Sequence, residues 1–135
     1  MSENSMSDKS YASAKDIKIG RYLLIEEIPC RVVDIETSKT GKHGSAKMRV
    51  TGIGIFDGQK KTLLTSADAD VEVPMIDRKN AQIVSVSGKN AQVMDSVTYE
   101  VYNLDLPDDM VALAASGKEV ELIQAMGRRK IERIK

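Results

Sequence analysis

The residues best suited to chemistry stand in a short polar segment, where Lys42 and His43 lie between Gly41 and Gly44. Glycine adopts positive φ at no steric cost, so the two glycines can present the pair at a tight loop tip. A lysine amine in such a loop can bind phosphate, and an imidazole can act as a general base. Lys42 is therefore the leading candidate for a functional residue.

The surrounding sequence supports neither phosphate binding by Lys42 nor general-base catalysis by His43. A phosphate-binding loop requires glycine where Glu36 stands and serine or threonine where His43 stands, and it leads into a helix. The residues after this loop alternate like a strand instead. A basic His43 would also need a nucleophile and an oriented carboxylate, which this acid-free segment does not suggest. We predict no catalytic residue, and an enzyme is disfavoured.

Charge around the loop is one-sided. The chain has 20 basic and 20 acidic residues, so its formal net charge is zero and any attraction to RNA must be local. No acid occurs from Thr37 to Phe56, a stretch that contains Lys39, Lys42, Lys47 and Arg49. Four phosphate contacts would give a salt dependence with a slope of roughly −3. The alternative is an ordinary solvated face. A second, weaker basic cluster is a candidate for a secondary contact with RNA, and it comprises Arg128, Arg129 and Lys130.

Composition excludes several classes of protein. No apolar run approaches the ~20 residues that span a bilayer, and the N-terminus has no signal-peptide core, so we expect a cytoplasmic location and no membrane partner. A single cysteine, Cys30, excludes an intramolecular disulfide, and with one histidine it argues against zinc. We expect Cys30 to be a small buried residue. The acidic residues match no calcium loop, so no metal is predicted.

Two apolar strands are predicted to hold the loop. Cys30 to Glu36 is rich in β-branched residues, and beyond the loop Ala46, Met48 and Val50 share one face. The loop therefore caps a β-hairpin. The apolar positions then change from even to odd at Ile53, which predicts a β-bulge near Thr51-Gly52.

The remaining chain divides into further elements. We predict a disordered tail over 1–15, a β domain that bears the loop over 16–73, and a second domain over 74–135. In the second domain, strands over 83–86, 91–94 and 97–101 precede a short helix over Met110 to Ala115 with Asp105 as its cap. Two strands, over 119–125 and 129–134, follow it. This order is that of an OB-fold, a barrel that often binds nucleic acid.

The second domain leaves an alternative function open. Tyr99 and Tyr102 are candidates for stacking on RNA bases, although their opposite parity allows at most one of them on a given side. The alternative is therefore a general single-stranded RNA-binding or RNA-chaperone protein that works through its OB-fold.

The whole chain from about Asp16 onward closely resembles archaeal and eukaryotic translation initiation factor 5A, the homologue of bacterial elongation factor P. The resemblance rests on the segment Ser38 to Lys47, on its approach from Gly20 to Glu36, and on Ala125-Met126-Gly127-Arg128. It implies a mainly β protein, with an N-terminal SH3-like barrel followed by a C-terminal OB-fold barrel with one short helix.

The resemblance also implies a function. Lys42 would be converted to deoxyhypusine or hypusine by deoxyhypusine synthase, which transfers an aminobutyl group from spermidine using NAD. The protein would then be the substrate of an enzyme, with no bound cofactor. Ser45 stands where eukaryotic members carry histidine, which favours the archaeal type and leaves the hydroxylation step open.

The implied partners are the ribosome and peptidyl-tRNA, and the implied role is to promote peptide bond formation on stalled ribosomes. We expect a monomer. The residues implied to contact tRNA, ribosome or synthase are Lys39, Thr40, Gly41, His43, Gly44, Ser45, Lys47 and Arg49.

Overall fold

A computed structural model describes residues 8–39 and 46–135 of the chain. The chain forms two compact units, Met1–Met75 and Ile76–Lys135, which we call the N-terminal and C-terminal units. The boundary predicted from the sequence, between Val73 and Pro74, lies two residues before this division.

The described residues of the N-terminal unit form six strands. Strands β2 to β5 form an antiparallel sheet in sequence order, and β1 pairs with β6 in a second, two-stranded sheet. The strands are β1 (Lys9–Ser13), β2 (Tyr22–Ile25), β3 (Ile28–Ser38), β4 (Lys47–Gly54), β5 (Lys60–Ser66) and β6 (Asp70–Pro74), and a 3₁₀ turn at Ala14–Asp16 follows β1.

The core of this unit lies on the inner side of the curled sheet. Along β4, buried Met48 and Val50 alternate with exposed Lys47 and Arg49, as their spacing predicted. The inner side chains pack against apolar residues of the other strands: Leu23, Ile25, Cys30, Val32 and Val71. The result is the SH3-like barrel that the family resemblance implied.

The predicted disordered tail over 1–15 is wrong for the part that the structure describes. Its sequence has little apolar character, but β1 pairs antiparallel with β6, so Tyr11 lies opposite Glu72. The Lys9 ammonium also lies 2.6 Å from the Glu72 carboxylate. Ala14, just after β1, is fully buried in the core. These contacts are long-range in sequence, so the segment itself gave no signal of them.

The predicted bulge is present on the neighbouring strand. The β3–β4 register shifts between Val32 and Asp34, which leaves Val33 as the extra residue opposite the Thr51-Gly52 step. Strand β4 keeps its inner face throughout, with glycines in place of apolar side chains at 52 and 54. A Cβ at Gly52 would lie 2.8 Å from Cβ of Cys30, closer than such atoms approach. The apolar residues move to odd positions at Ile53 because close packing requires glycine at the inner positions 52 and 54. The buried face of β4 stays the same along the whole strand.

Five strands and one short 3₁₀ helix build the C-terminal unit. In space the strand order is β11-β10-β7-β8-β9, and β11 lies against β9, so the sheet closes into an OB-fold barrel. The elements are β7 (Asp77–Ser87), β8 (Asn90–Asp95), β9 (Val101–Asp105), the 3₁₀ helix (Asp108–Leu113), β10 (Glu119–Ala125) and β11 (Arg128–Ile134). Buried Ile83, Val93, Leu122 and Ile131 fill its core.

Two predicted boundaries in this unit are wrong. The third strand begins at Val101, because Asp95 accepts hydrogen bonds from the amides of Val97 (2.8 Å) and Thr98 (3.0 Å) and fixes a turn there. Tyr99 then takes a positive φ of 65°. The short helix is 3₁₀ and starts after Pro107, without a side-chain cap, because Asp105 ends β9.

Candidate functional site

The hairpin of β3 and β4 frames the loop that carries Lys42. Ser38 pairs with Lys47 in the antiparallel register and Thr37 pairs with Met48, so the two strands end side by side at the loop. The predicted hairpin is confirmed in this part. Six of the predicted site residues lie outside the residues that the structure describes: Thr40, Gly41, Lys42, His43, Gly44 and Ser45.

The base of the loop is held from two sides. Strand β4 is central, with β3 and β5 as its neighbours, and Met48 and Val50 fix it in the core. Where the chain leaves the loop and enters β4, the amide of Ala67 donates a 2.8 Å hydrogen bond to the Ala46 carbonyl. Ala67 in turn accepts a bond from the Lys15 amide at 3.1 Å. The N-terminal segment predicted to be disordered therefore supports the loop base.

The described basic residues near the loop are all exposed: Lys39 follows β3, and Lys47 and Arg49 lie on the outer face of β4. Arg49 lies directly opposite Glu36 in the β3–β4 register. Cross-strand partners have Cβ atoms about 5 Å apart, so the acid partly offsets the guanidinium charge. The patch that was free of acid in sequence is not free of acid in space.

A groove of about 630 Å³ lies on this sheet beside the loop base. Its outer-face residues form two cross-strand rows, Glu36-Arg49-Leu64 and Ser38-Lys47-Ser66. Thr37, Met48 and Thr65 complete its lining. The side chain of Leu64 is exceptional among them, because it is apolar and its residue is 73% exposed.

Sequence reasoning missed Leu64, although a signal was present. Leu63 and Leu64 are adjacent in a strand, where successive side chains point to opposite faces. Leu63 packs against the core, so Leu64 must face outward.

In the second predicted basic cluster, Arg129 makes contacts within the barrel. Its Nε donates to Oε1 of Gln124 at 3.1 Å, and its guanidinium lies 4.1 Å from the centroid of the Tyr102 ring. Arg129 thus links β11 to β10 and β9. Arg128 is exposed and Lys130 is half-buried, and both take part in further interactions.

Two buried groups away from the loop serve the fold. Cys30 is fully buried, its thiol donates to the Ile28 carbonyl at 3.3 Å, and burial raises its pKa, so it is the buried core residue predicted. Asp95 is 1% exposed, and hydrogen bonds from Thr98 and Val97 lower its pKa. The Lys79 ammonium, 3.5 Å from Asp95 Oδ2, adds to this effect.

Over 8–39 and 46–135, no three side chains of His, Cys, Asp or Glu come together as metal ligands. Within this part of the chain, no helix is long and apolar enough to cross a membrane.

The described residues define a small β protein of two barrels, in which the β3–β4 hairpin of the N-terminal barrel leads into the loop segment. A family model described as translation initiation factor 5A-like, N-terminal, matches residues 7–69. The chain belongs to the translation initiation factor 5A family.

Relatives and solved structures agree over nearly the whole chain. Translation initiation factor 5A of Methanocella arvoryzae is 41% identical over 90% of this chain and 95% of its own. That of Korarchaeum cryptofilum is 46% identical over 90% and 92%. The structure named eukaryotic translation initiation factor 5A from Methanococcus jannaschii is 42% identical, with a TM-score of 0.88 over 96% of this chain and 97% of that one. These similarities support a role in translation.

Proposed function

We propose that this chain is a non-enzymatic translation factor that binds the ribosome and acts through a modified Lys42. The observation that carries the proposal is the hairpin of β3 and β4, whose paired ends lead into the Lys42 loop and are anchored by the core and by Ala67. A lysine on such a rigid support can be delivered to a defined point in a partner. The family of the chain supplies the partner, the ribosome.

The modification we propose is an aminobutyl transfer by an NAD-dependent synthase. The bond between the secondary nitrogen of spermidine and its butyl carbon breaks, and that carbon bonds to Nζ of Lys42. Nζ loses a proton, and the leaving three-carbon diamine gains one. The net transfer is redox-neutral, so NAD is reduced and then reoxidised within one turnover. The product is deoxyhypusine, which some lineages hydroxylate to hypusine, and the factor itself holds no cofactor.

The finished side chain is longer than lysine and carries a second amine. Such a probe suits a narrow cavity lined with phosphate, and we propose that it contacts peptidyl-tRNA near its acceptor end. Holding a slow-reacting tRNA in a near-attack geometry can lower the activation free energy by several kcal/mol without any acid or base. This contribution would promote peptide bond formation on stalled ribosomes.

The flanking residues are proposed to assist in binding. Lys39, Lys47 and Arg49 are exposed beside the loop, and we propose that they contact the ribosome, the tRNA or the synthase. The neighbouring Gly41, His43 and Gly44 are proposed to shape the tip, together with Thr40 and Ser45. We further propose that the factor works as a monomer in the cytoplasm, where ribosomes are found.

Mass spectrometry of the Lys42 peptide from native cells tests the modification, and we expect a mass increase for the added aminobutyl group. Lys42→Arg keeps the charge but blocks the transfer, so we expect loss of rescue of stalled synthesis. Lys39→Arg is the matched control, in the same loop region, and should retain activity. Unmodified Lys42 throughout, or normal rescue by Lys42→Arg, would contradict the proposal.

The alternative of general RNA binding through the OB-fold has less support. The ring of Tyr102 lies under Arg129, whereas Tyr99 is 68% exposed. One of the two predicted stacking residues, Tyr102, is thus already in contact within the barrel. Stacking of one RNA base on the remaining ring would contribute about 1–3 kcal/mol to binding. Tyr99→Ala in the full chain should leave rescue of stalled synthesis unchanged, and a large loss would favour the alternative.

A further inference from the structure

The groove beside the loop base has the composition of a surface that binds protein. Its middle row places an acid, a base and an exposed apolar side chain next to one another, in Glu36, Arg49 and Leu64. Arginine is enriched at the centres of protein interfaces, and the fully buried core of an interface is more apolar than its rim. Nothing in the function proposed above uses Leu64.

Charge on the same face argues against RNA as its occupant. Asp34 and Glu36 are both exposed and lie two residues apart on the outer face of β3, beside the basic column of β4. A phosphate that approached Arg49 would come within reach of the opposite Glu36 carboxylate and be repelled by it. A protein that presents complementary charges around an apolar side chain would meet no such penalty.

The position of the groove indicates which protein binds there. The row of Ser38 and Lys47 is the last cross-strand pair before the loop, and the row with Leu64 lies one outer-face step behind it, about 7 Å along the strands. Lys42 follows Lys39 by three residues and precedes Ala46 by four. Three residues of extended chain span at most about 10 Å, so a macromolecule that acts chemically on Lys42 comes close to this groove.

We propose that this outer face of β3, β4 and β5 is the docking surface of the enzyme that modifies Lys42. Leu64 provides the apolar anchor, and Glu36 and Arg49 set the orientation of the enzyme. The inference rests on the proposed function, because it requires that Lys42 be an enzyme substrate. It adds a recognition surface outside the loop itself.

The test measures aminobutyl transfer to the purified full-length chain, with the synthase, NAD and labelled spermidine. Leu64→Ser and Glu36→Lys should each lower kcat/KM for the protein substrate about tenfold, through a higher KM with little change in kcat. Both positions are exposed, and thermal unfolding of each variant should match that of the wild type. Leu113→Ser is the matched control, because Leu113 is 59% exposed in the C-terminal unit.

The outcomes separate this inference from the function on which it rests. Wild-type modification combined with a normal KM for Leu64→Ser would overturn the docking surface alone. Tighter binding of a labelled oligoribonucleotide by Glu36→Lys, with modification unchanged, would assign the face to RNA and also overturn it. A wild-type chain that the synthase does not modify would refute the proposed function, and the docking surface with it. Leu64→Ser protein that is fully modified beforehand should rescue stalled synthesis normally.

Discussion

Gly52→Ala is predicted to destabilise the N-terminal unit, because β3 and β4 approach each other too closely for another methyl group. The added Cβ would lie 2.8 Å from Cβ of Cys30 and 3.2 Å from Cδ1 of Ile25. The Ile25 side chain can shift by a few tenths of an ångström. The Cβ of Cys30 is fixed to its backbone, so the two strands must separate.

The magnitude follows from two opposing effects. Overpacking a core by one methyl group costs about 1–3 kcal/mol, whereas replacing a glycine within a strand by alanine gains about 0.5–1 kcal/mol. We expect a net loss of about 1–2 kcal/mol in the free energy of unfolding. For a unit of this size, that loss lowers the Tm by roughly 4–16 °C.

Hydrogen exchange followed by mass spectrometry is the appropriate assay, because two units in one chain need not unfold together. The β4 amides of Gly52→Ala should exchange faster, while those of the C-terminal unit keep their wild-type rates. Thr62→Ala, at an exposed position of β5, is the control and should change stability by less than about 0.5 kcal/mol. Cys30→Ala keeps its Cβ and should not rescue the variant. An unchanged or raised Tm would refute the argument from close packing.

Two further predictions concern the C-terminal unit. In the folded state, hydrogen bonds from backbone amides hold the pKa of Asp95 below its unfolded value near 3.9. The stability that ionised Asp95 contributes is therefore fully present above about pH 3.9 and is lost as the pH falls through the folded pKa. Asp95→Asn should therefore lower the free energy of unfolding by about 1–2 kcal/mol at neutral pH, because it removes the charge facing Lys79. In urea titrations at acid pH, the free energies of unfolding of the variant and the wild type should become equal. Arg129→Lys should lower stability by about 1 kcal/mol, because lysine cannot stack its planar group on Tyr102 and bond to β10 together. Thermal unfolding should show a smaller effect for Arg128→Lys, and equal effects would contradict a structural role that is specific to Arg129.

The sequence was sufficient where the pattern is local. Alternation of Met48 and Val50 with Lys47 and Arg49 fixed the faces of β4, because the period of a strand is two and one face must be buried. The hairpin around the loop and the strand order of the OB-fold followed from similar runs and the turns between them. The prediction that Lys42 is the functional residue came from the sequence alone, through its glycine neighbours and the resemblance of the loop to the translation factor family.

Only the tertiary structure decided what depends on distant partners. Strand β1 has no periodicity of its own, and it is ordered because β6, about 60 residues later, supplies its hydrogen bonds. The register across β3, β4 and β5 brought Glu36 and Leu64 to either side of Arg49, which changed an acid-free segment into a mixed surface. The requirement for glycine at position 52 likewise comes from its close approach to Cys30, and the sequence does not show which residue a glycine must approach. The sequence thus determined the loop and its lysine, whereas cross-strand packing determined the surface that surrounds them.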